Sequence, residues 1–220
     1  TFVRRRIVLH THNVAGRFPQ PWWNGEDLRG KRILARAEQG VGDEIMFASP
    51  IADLAARSAR CLIEVDKRLV DLFARSFPAA PVFARTDPPA AELVAPDVDF
   101  QVSFGNAFRW LRPTVDAFPR HGGFLVADPQ RVAHWRARLA ALGAGPVVGI
   151  SWRSRLVTHL RKAEFTELTE WGPIFAIPGI RFVNLQYDES RAEIEQAEKL
   201  FGIRIHRFDD EVDLFNDLDG

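Results

Sequence analysis

Short apolar runs alternate with amphipathic stretches along most of this chain, and that alternation predicts strands linked by helices. KRILARA, from Lys31, reads as the first strand; the loop EQGVG follows, and a helix is expected to open at Asp43. Ile45, Ala48, Ile51, Ala52 and Ala55 recur at the spacing of one helical face. RCLIEVD (60–66) is a second strand, KRLVDLFARSF (67–77) a helix, PVFART a third strand and DFQVSF (99–104) a fourth, with a Pro/Ala-rich loop over 87–97. Strands that alternate with helices need crossover connections, which lay the strands parallel and cover the sheet with helices.

A second block repeats the pattern. Asp128 reads as an N-cap with Pro129 at the first helical position, opening PQRVAHWRARLAALG, which ends at Gly143. AGP is a plausible hinge, and VVGISW (147–152) is apolar enough to be a strand buried on both faces. A helix over AEFTELTEWGPIFA, a strand IRFVNLQY (180–187), a helix SRAEIEQAEKLFG and a strand IRIHRF complete the series. The final DDEVDLFNDLDG carries six acids and no base and reads as a solvated tail, so the chain is expected to end in the middle of the second fold. Residues 1–30 are rich in turn formers and aromatics without periodicity, an entry segment or linker whose Trp22 and Trp23 could pack onto something. The organisation expected is therefore this segment, a lobe over 31–143 and a partial lobe over 144–220.

Composition narrows the function classes. Lys+Arg and Asp+Glu both number 29, so no overall charge points to nucleic acid or to an anionic membrane. The apolar runs are too short to span a bilayer, and TFVRRRIVLHTH lacks the core of a signal peptide. Cys61 is the only cysteine, which excludes an internal disulfide and a cysteine zinc cluster and fits a cytoplasmic location. His10 and His12 could share a strand face, but no acid or further histidine completes a metal site, so none is expected.

The loop Gln39-Gly40-Val41-Gly42-Asp43 holds the first candidate chemistry. The dinucleotide fingerprint needs a third glycine where Ile45 stands, and no Gly-Lys-Ser/Thr follows, so phosphate cradles of both kinds are excluded. Asp43 could simply cap the helix. Alternatively, a carboxylate at a strand–helix mouth could accept a proton from a hydroxyl, with the glycines admitting a substrate close to the backbone. The second block supplies the opposite charge: GISWRSRLVTHLRKAEF places Arg153, Arg155, Arg161 and Lys162 after a strand and before a helix. Cations at the carboxyl end of a parallel strand suit a diphosphate, although a solvated basic loop has the same composition.

WWNGEDLRGKRILARAEQGVGDEIMFASPIADLAAR resembles the catalytic region of bacterial tetratricopeptide-repeat proteins with a glycosyltransferase-like domain. These are related to the ADP-heptose lipopolysaccharide heptosyltransferases and, more distantly, to O-linked N-acetylglucosamine transferases. FGNAFRWL, GGFLVADPQRVAHWRARLAALG, VVGISWRS and RFVNLQYDE extend the likeness over roughly residues 18–220. The resemblance implies a GT-B architecture, two Rossmann-like lobes with parallel sheets and the active site between them, the second lobe incomplete here. It implies an inverting, metal-independent transfer from a nucleotide-diphosphate sugar, with no further cofactor, to a hydroxyl of a protein such as flagellin or of a glycan.

Residue by residue, the likeness matches Gly42-Asp43 to the family's Gly-Asp pair, making Asp43 the catalytic base and Gln39, Gly40 and Gly42 the acceptor loop. Ser151 and Arg153, with Arg161 or Lys162, match the donor-diphosphate contacts, and Gln186 of Leu185-Gln186 lies near the nucleotide. The family's later strand and glycine-rich turn are absent from the sequence. That absence keeps a second reading open, a non-catalytic binding or scaffold domain with a degenerate transferase fold.

Overall fold

A computed structural model describes residues 16–38, 40–120, 122–154 and 165–219. The chain divides into two compact units, one up to Ala127 and one from Asp128 onward. The helix that the sequence placed at the end of the first lobe thus belongs to the second unit.

In the first unit β1 (Arg32–Arg36), β2 (Arg60–Val65), β3 (Val82–Ala84) and β4 (Phe100–Ser103) form a parallel sheet in the order β3-β2-β1-β4. Ile33, Leu34 and Ala35 are wholly buried, as the apolar run ILA requires of a strand covered on both sides. The chain steps from β1 outward to β2 and β3, then returns to β4 on the other flank. The carboxyl ends of β1 and β4 therefore frame a topological switch point, where open α/β sheets place their ligands.

The helix expected from Asp43 is instead two: α1 (Val41–Phe47) and α2 (Ile51–Arg57). Pro50, which has no N–H to continue the ladder, stands at the N-cap of α2 and separates them. The buried stripe is Glu44, Ala48, Ile51 and Leu54, while Ala52 is exposed and Ile45 and Ala55 only half-buried. A 3-10 turn (Lys67–Leu69) leads into α3 (Val70–Ser76), and FGNAFRWL forms α4 (Phe104–Leu111) directly after β4.

Residues 16–30 are part of this unit rather than a linker. Phe18 joins Leu34, Leu62, Leu93 and Val98 in one core cluster, and Trp23 and Leu28 are also buried. Gln101 of β4 donates its N–H to the Pro21 carbonyl and accepts from the Trp23 N–H, both at 2.9 Å. The 87–97 loop holds a 3-10 turn (Ala91–Leu93), with Leu93 fully buried.

The second unit opens as expected: the Asp128 carboxylate accepts from the N–H groups of Gln130 (2.7 Å) and Arg131 (3.1 Å), capping α5 (Pro129–Ala140). Strands β5 (Val147–Ile150), β6 (Arg181–Asn184) and β7 (Ile205–His206) are parallel in the order β5-β6-β7. As an edge strand β5 is less buried than its apolar sequence predicts: Val147 and Val148 are half-buried and Gly149 is exposed. The long helix expected over AEFTELTEWGPIFA is a 3-10 turn (Leu168–Glu170) and the one-turn α6 (Gly172–Phe175). Its first two residues lie outside the described ones. A reciprocal Glu167/Glu170 capping box closes the turn, and Pro173 starts a new helix rather than extending an old one.

Helix α7 (Arg191–Phe201) ends at Gly202, whose φ of 64° is left-handed. Ile150, Trp152, Leu168, Phe175, Phe182, Ile194, Ala197 and Ile205 make the core of this unit. The acidic tail is not free in solvent: Glu211 pairs with Arg138 of α5, and Asp217 with Arg131 at 2.7 Å. Among the described residues no helix is long and apolar enough to cross a membrane.

Candidate functional site

The first candidate site lies at the carboxyl end of the first sheet. Gly40, in extended conformation, is the N-cap of α1, so the helix begins two residues earlier than expected and Asp43 occupies its first turn rather than its cap. A Cβ at Gly40 or Gly42 would meet nothing within 4 Å, so the loop borders open space on both sides of Val41. No side-chain cap bond forms at this helix end, and the Asp43 carboxylate has no hydrogen-bond or ion-pair partner among the described residues. Gln39 lies outside them.

Glu44 behaves in the opposite way. It is 2% exposed and accepts two hydrogen bonds: from the Asp66 N–H, just past β2, at 2.8 Å, and from Arg85 Nη2, just past β3, at 2.6 Å. Next to it Glu64, 1% exposed, accepts from Arg17 at 2.7 Å. Burial pushes both carboxyls above the ordinary glutamate range; the Asp66 N–H and Arg85 oppose this for Glu44, and Arg17, Arg85 and Arg36 oppose it for Glu64.

Register aligns Ser103, Arg36 and Glu64 in a row across β4, β1 and β2 at the carboxyl end of the sheet. The buried Arg36 guanidinium lies 4.7 Å from the Trp22 ring and 5.6 Å from that of Phe18, and burial lowers its pKa. Among the described residues Arg36 Nε and Ser103 Oγ have no hydrogen-bond partner. Arg85 thus acts on both Glu44 and Glu64, and Arg17 and Arg36 on Glu64. Sequence reasoning assigned none of these five a role. The one available signal was charge at the last turns of apolar strands, Arg36 in ILAR and Glu64 in LIEV.

The second candidate site gathers three expected residues at the carboxyl ends of β5 and β6. Gln186 is buried, and its Oε1 accepts from Ser151 Oγ (3.1 Å), Trp152 N (3.1 Å) and Arg153 N (3.3 Å). Its Nε2 donates to the Arg153 carbonyl at 3.1 Å. Gln186 is thereby a clamp on the chain leaving β5. Arg153 points its guanidinium at Asp188, 3.0 Å away, and at Glu193, which also accepts from Trp152 Nε1 at 2.7 Å. Burial disfavours the charge on Arg153, and its bonds to Glu193 and Asp188 outweigh that, raising its pKa.

A cavity of about 480 Å³ adjoins this cluster, lined by Asn184, Gln186, Tyr187, Asp188, Arg207 and Phe215 among others. Arg161 and Lys162, the other expected phosphate contacts, lie outside the described residues.

No protein-family model matches the chain, and no solved structure matches it. Among curated proteins it is similar to Protein FlbA of Caulobacter vibrioides (strain ATCC 19089 / CIP 103742 / CB 15), with 39% identity over 209 residues. The alignment covers 90% of this chain and 35% of that protein, so the chain spans about a third of the relative's length.

Proposed function

We propose that this chain carries the catalytic region of a GT-B glycosyltransferase that moves a sugar from a nucleotide diphosphate to a hydroxyl acceptor, a protein such as flagellin or a glycan. The observation that carries the reading is the Asp43 carboxylate, unpaired among the described residues, in a glycine-flanked helix start at the carboxyl edge of a parallel sheet. Asp43 takes the proton of the acceptor hydroxyl as that oxygen attacks the anomeric carbon from the side opposite the diphosphate, inverting it. Arg153, with Arg161 or Lys162, stabilises the charge gained by the departing diphosphate. Nucleotide sugar and acceptor are the partners, no metal takes part, and the reaction is assigned to the cytoplasm.

One observation favours a second reading, that of a non-catalytic binding domain. Arg153 is already neutralised by Asp188 and Glu193, so a donor diphosphate must displace them to use it. Transfer assayed on the intact protein by mass spectrometry, with a panel of nucleotide-diphosphate sugars, separates the readings. The transferase reading expects turnover that Asp43→Asn lowers by about 100-fold or more, in the range of a lost general base. Full activity of Asp43→Asn removes that residue from the chemistry, and diphosphate binding without any turnover favours the second reading.

A further inference from the structure

The geometry points to Glu44 as the positioning residue that sets the direction of Asp43, an inference that rests on the transferase reading above. Successive residues of a helix project about 100° apart, so fixing one side chain of a first turn fixes the azimuth of its neighbour. Helix α1 is seven residues long with no side-chain N-cap, so nothing in the cap itself holds its rotation. Glu44 does so from below. One carboxylate oxygen takes the Asp66 N–H at the end of β2, and the other takes Arg85 at the end of β3.

Both anchors are themselves fixed. The Arg85 N–H donates to the Val65 carbonyl at 2.7 Å, and the Asp66 carboxylate is held by the N–H and Nε of Arg68 at 3.0 and 2.8 Å. With Glu44 turned inward onto two strand ends, Asp43 is set about 100° round the helix from them and stays partly exposed.

Stability alone gives little reason to bury an acid there. Replacing a whole buried ion pair by apolar residues of similar volume is often neutral or stabilising. What an apolar residue cannot do is grip two strand ends at once through directional bonds. Glu44 acts through Asp43 and has no role of its own in the reacting atoms.

The test compares Glu44→Ala and Glu44→Gln in the intact protein, each alone and combined with Asp43→Asn, under the transfer assay above. Misplacing a reacting group by about 1 Å costs on the order of 100-fold, so Glu44→Ala is expected to lower kcat by roughly 30- to 100-fold with donor KM changed less than about 3-fold. Glutamine keeps an oxygen for the Asp66 N–H and is expected to hold kcat within about 5-fold of the parent. In the Asp43→Asn background Glu44→Ala should cost less than about 2-fold more, because residues that act through one another are non-additive.

Hydrogen exchange of peptides over 41–47 supplies a readout independent of turnover. Glu44→Ala should speed exchange there about 10-fold or more while peptides over β1 and β4 stay unchanged, since only a local tie is lost. A full additional loss on the Asp43→Asn background, or unaltered exchange over 41–47, overturns the proposal. If the parent protein shows no transfer, the transferase reading fails by itself, and unaltered exchange is then the result that also removes Glu44 as the tie.

Discussion

Gln186 offers the sharpest test of the second unit, because one buried amide joins two strand ends through four hydrogen bonds. Truncating it to alanine removes all four. Two of the groups released sit on Arg153 and one on Ser151, where water can approach; the Trp152 N–H is buried with its residue, which is 5% exposed. At 3.1–3.3 Å these bonds are long, so each contributes toward the lower end of the usual range, roughly 0.5–1 kcal/mol, with about 1 kcal/mol more for the stranded N–H.

The sum predicts a loss of about 3–5 kcal/mol for Gln186→Ala, against about 0.5–1 kcal/mol for Ser151→Ala, which deletes a single bond on the accessible side. Urea unfolding followed by tryptophan fluorescence measures both, with Trp152 beside the lesion; an unchanged m-value certifies that the midpoint shift is a stability change. If Gln186→Ala costs no more than Ser151→Ala, the clamp does not exist as described.

Three further outcomes are expected. The ordinary glutamate value is 4.5 and burial raises that of Glu44, so the folded chain keeps this proton in a window just above 4.5 where the unfolded chain has lost it. That contribution to stability is full below the ordinary value and lost as pH rises through the raised one; Glu44→Gln abolishes it, so the variant should gain on the parent between about pH 4 and pH 7. Urea midpoints at the two pH values measure this, and a variant that declines instead refutes the sign. Asp128→Ala removes the cap of α5 and should cost about 1 kcal/mol in the same unfolding assay, with Asp128→Asn nearly neutral. Burial pushes the Cys61 thiol up to about 12, so an aromatic disulfide reagent at mildly alkaline pH should leave it untouched until urea unfolds the chain; rapid labelling of the native protein would contradict its burial.

Strand positions were legible because their apolar runs are dictated by burial on both faces, and the Asp128-Pro129 start of α5 because capping chemistry is local. The face of α1 was misjudged by one residue for a particular reason. Hydropathy assigns the inside to Ile45, yet two hydrogen-bond donors at the ends of β2 and β3 draw Glu44 inward, and those donors come from sequence 22 and 41 positions away. Arg36 and Glu64 were hidden for the same reason, since only register brings them side by side. The gathering of Ser151, Arg153 and Gln186 was foreseen, but the satisfaction of Arg153 by Asp188 and Glu193 was not. A charge count along the chain carries no information about which acids fold back onto a base. Leading residues without periodicity looked like a tether because their order comes from docking onto β4, not from any repeat of their own.

That docking has a practical consequence for anyone dissecting the molecule. A fragment cut at Lys31, where the regular pattern begins, would strip away Phe18, Trp23 and Leu28 and uncover Leu34 and Leu62 on the sheet beneath. It would also unroof Arg36 and leave Glu64 without Arg17. A sticky, charge-unbalanced surface of that kind favours self-association over a soluble monomer, so a workable boundary lies upstream of Arg17.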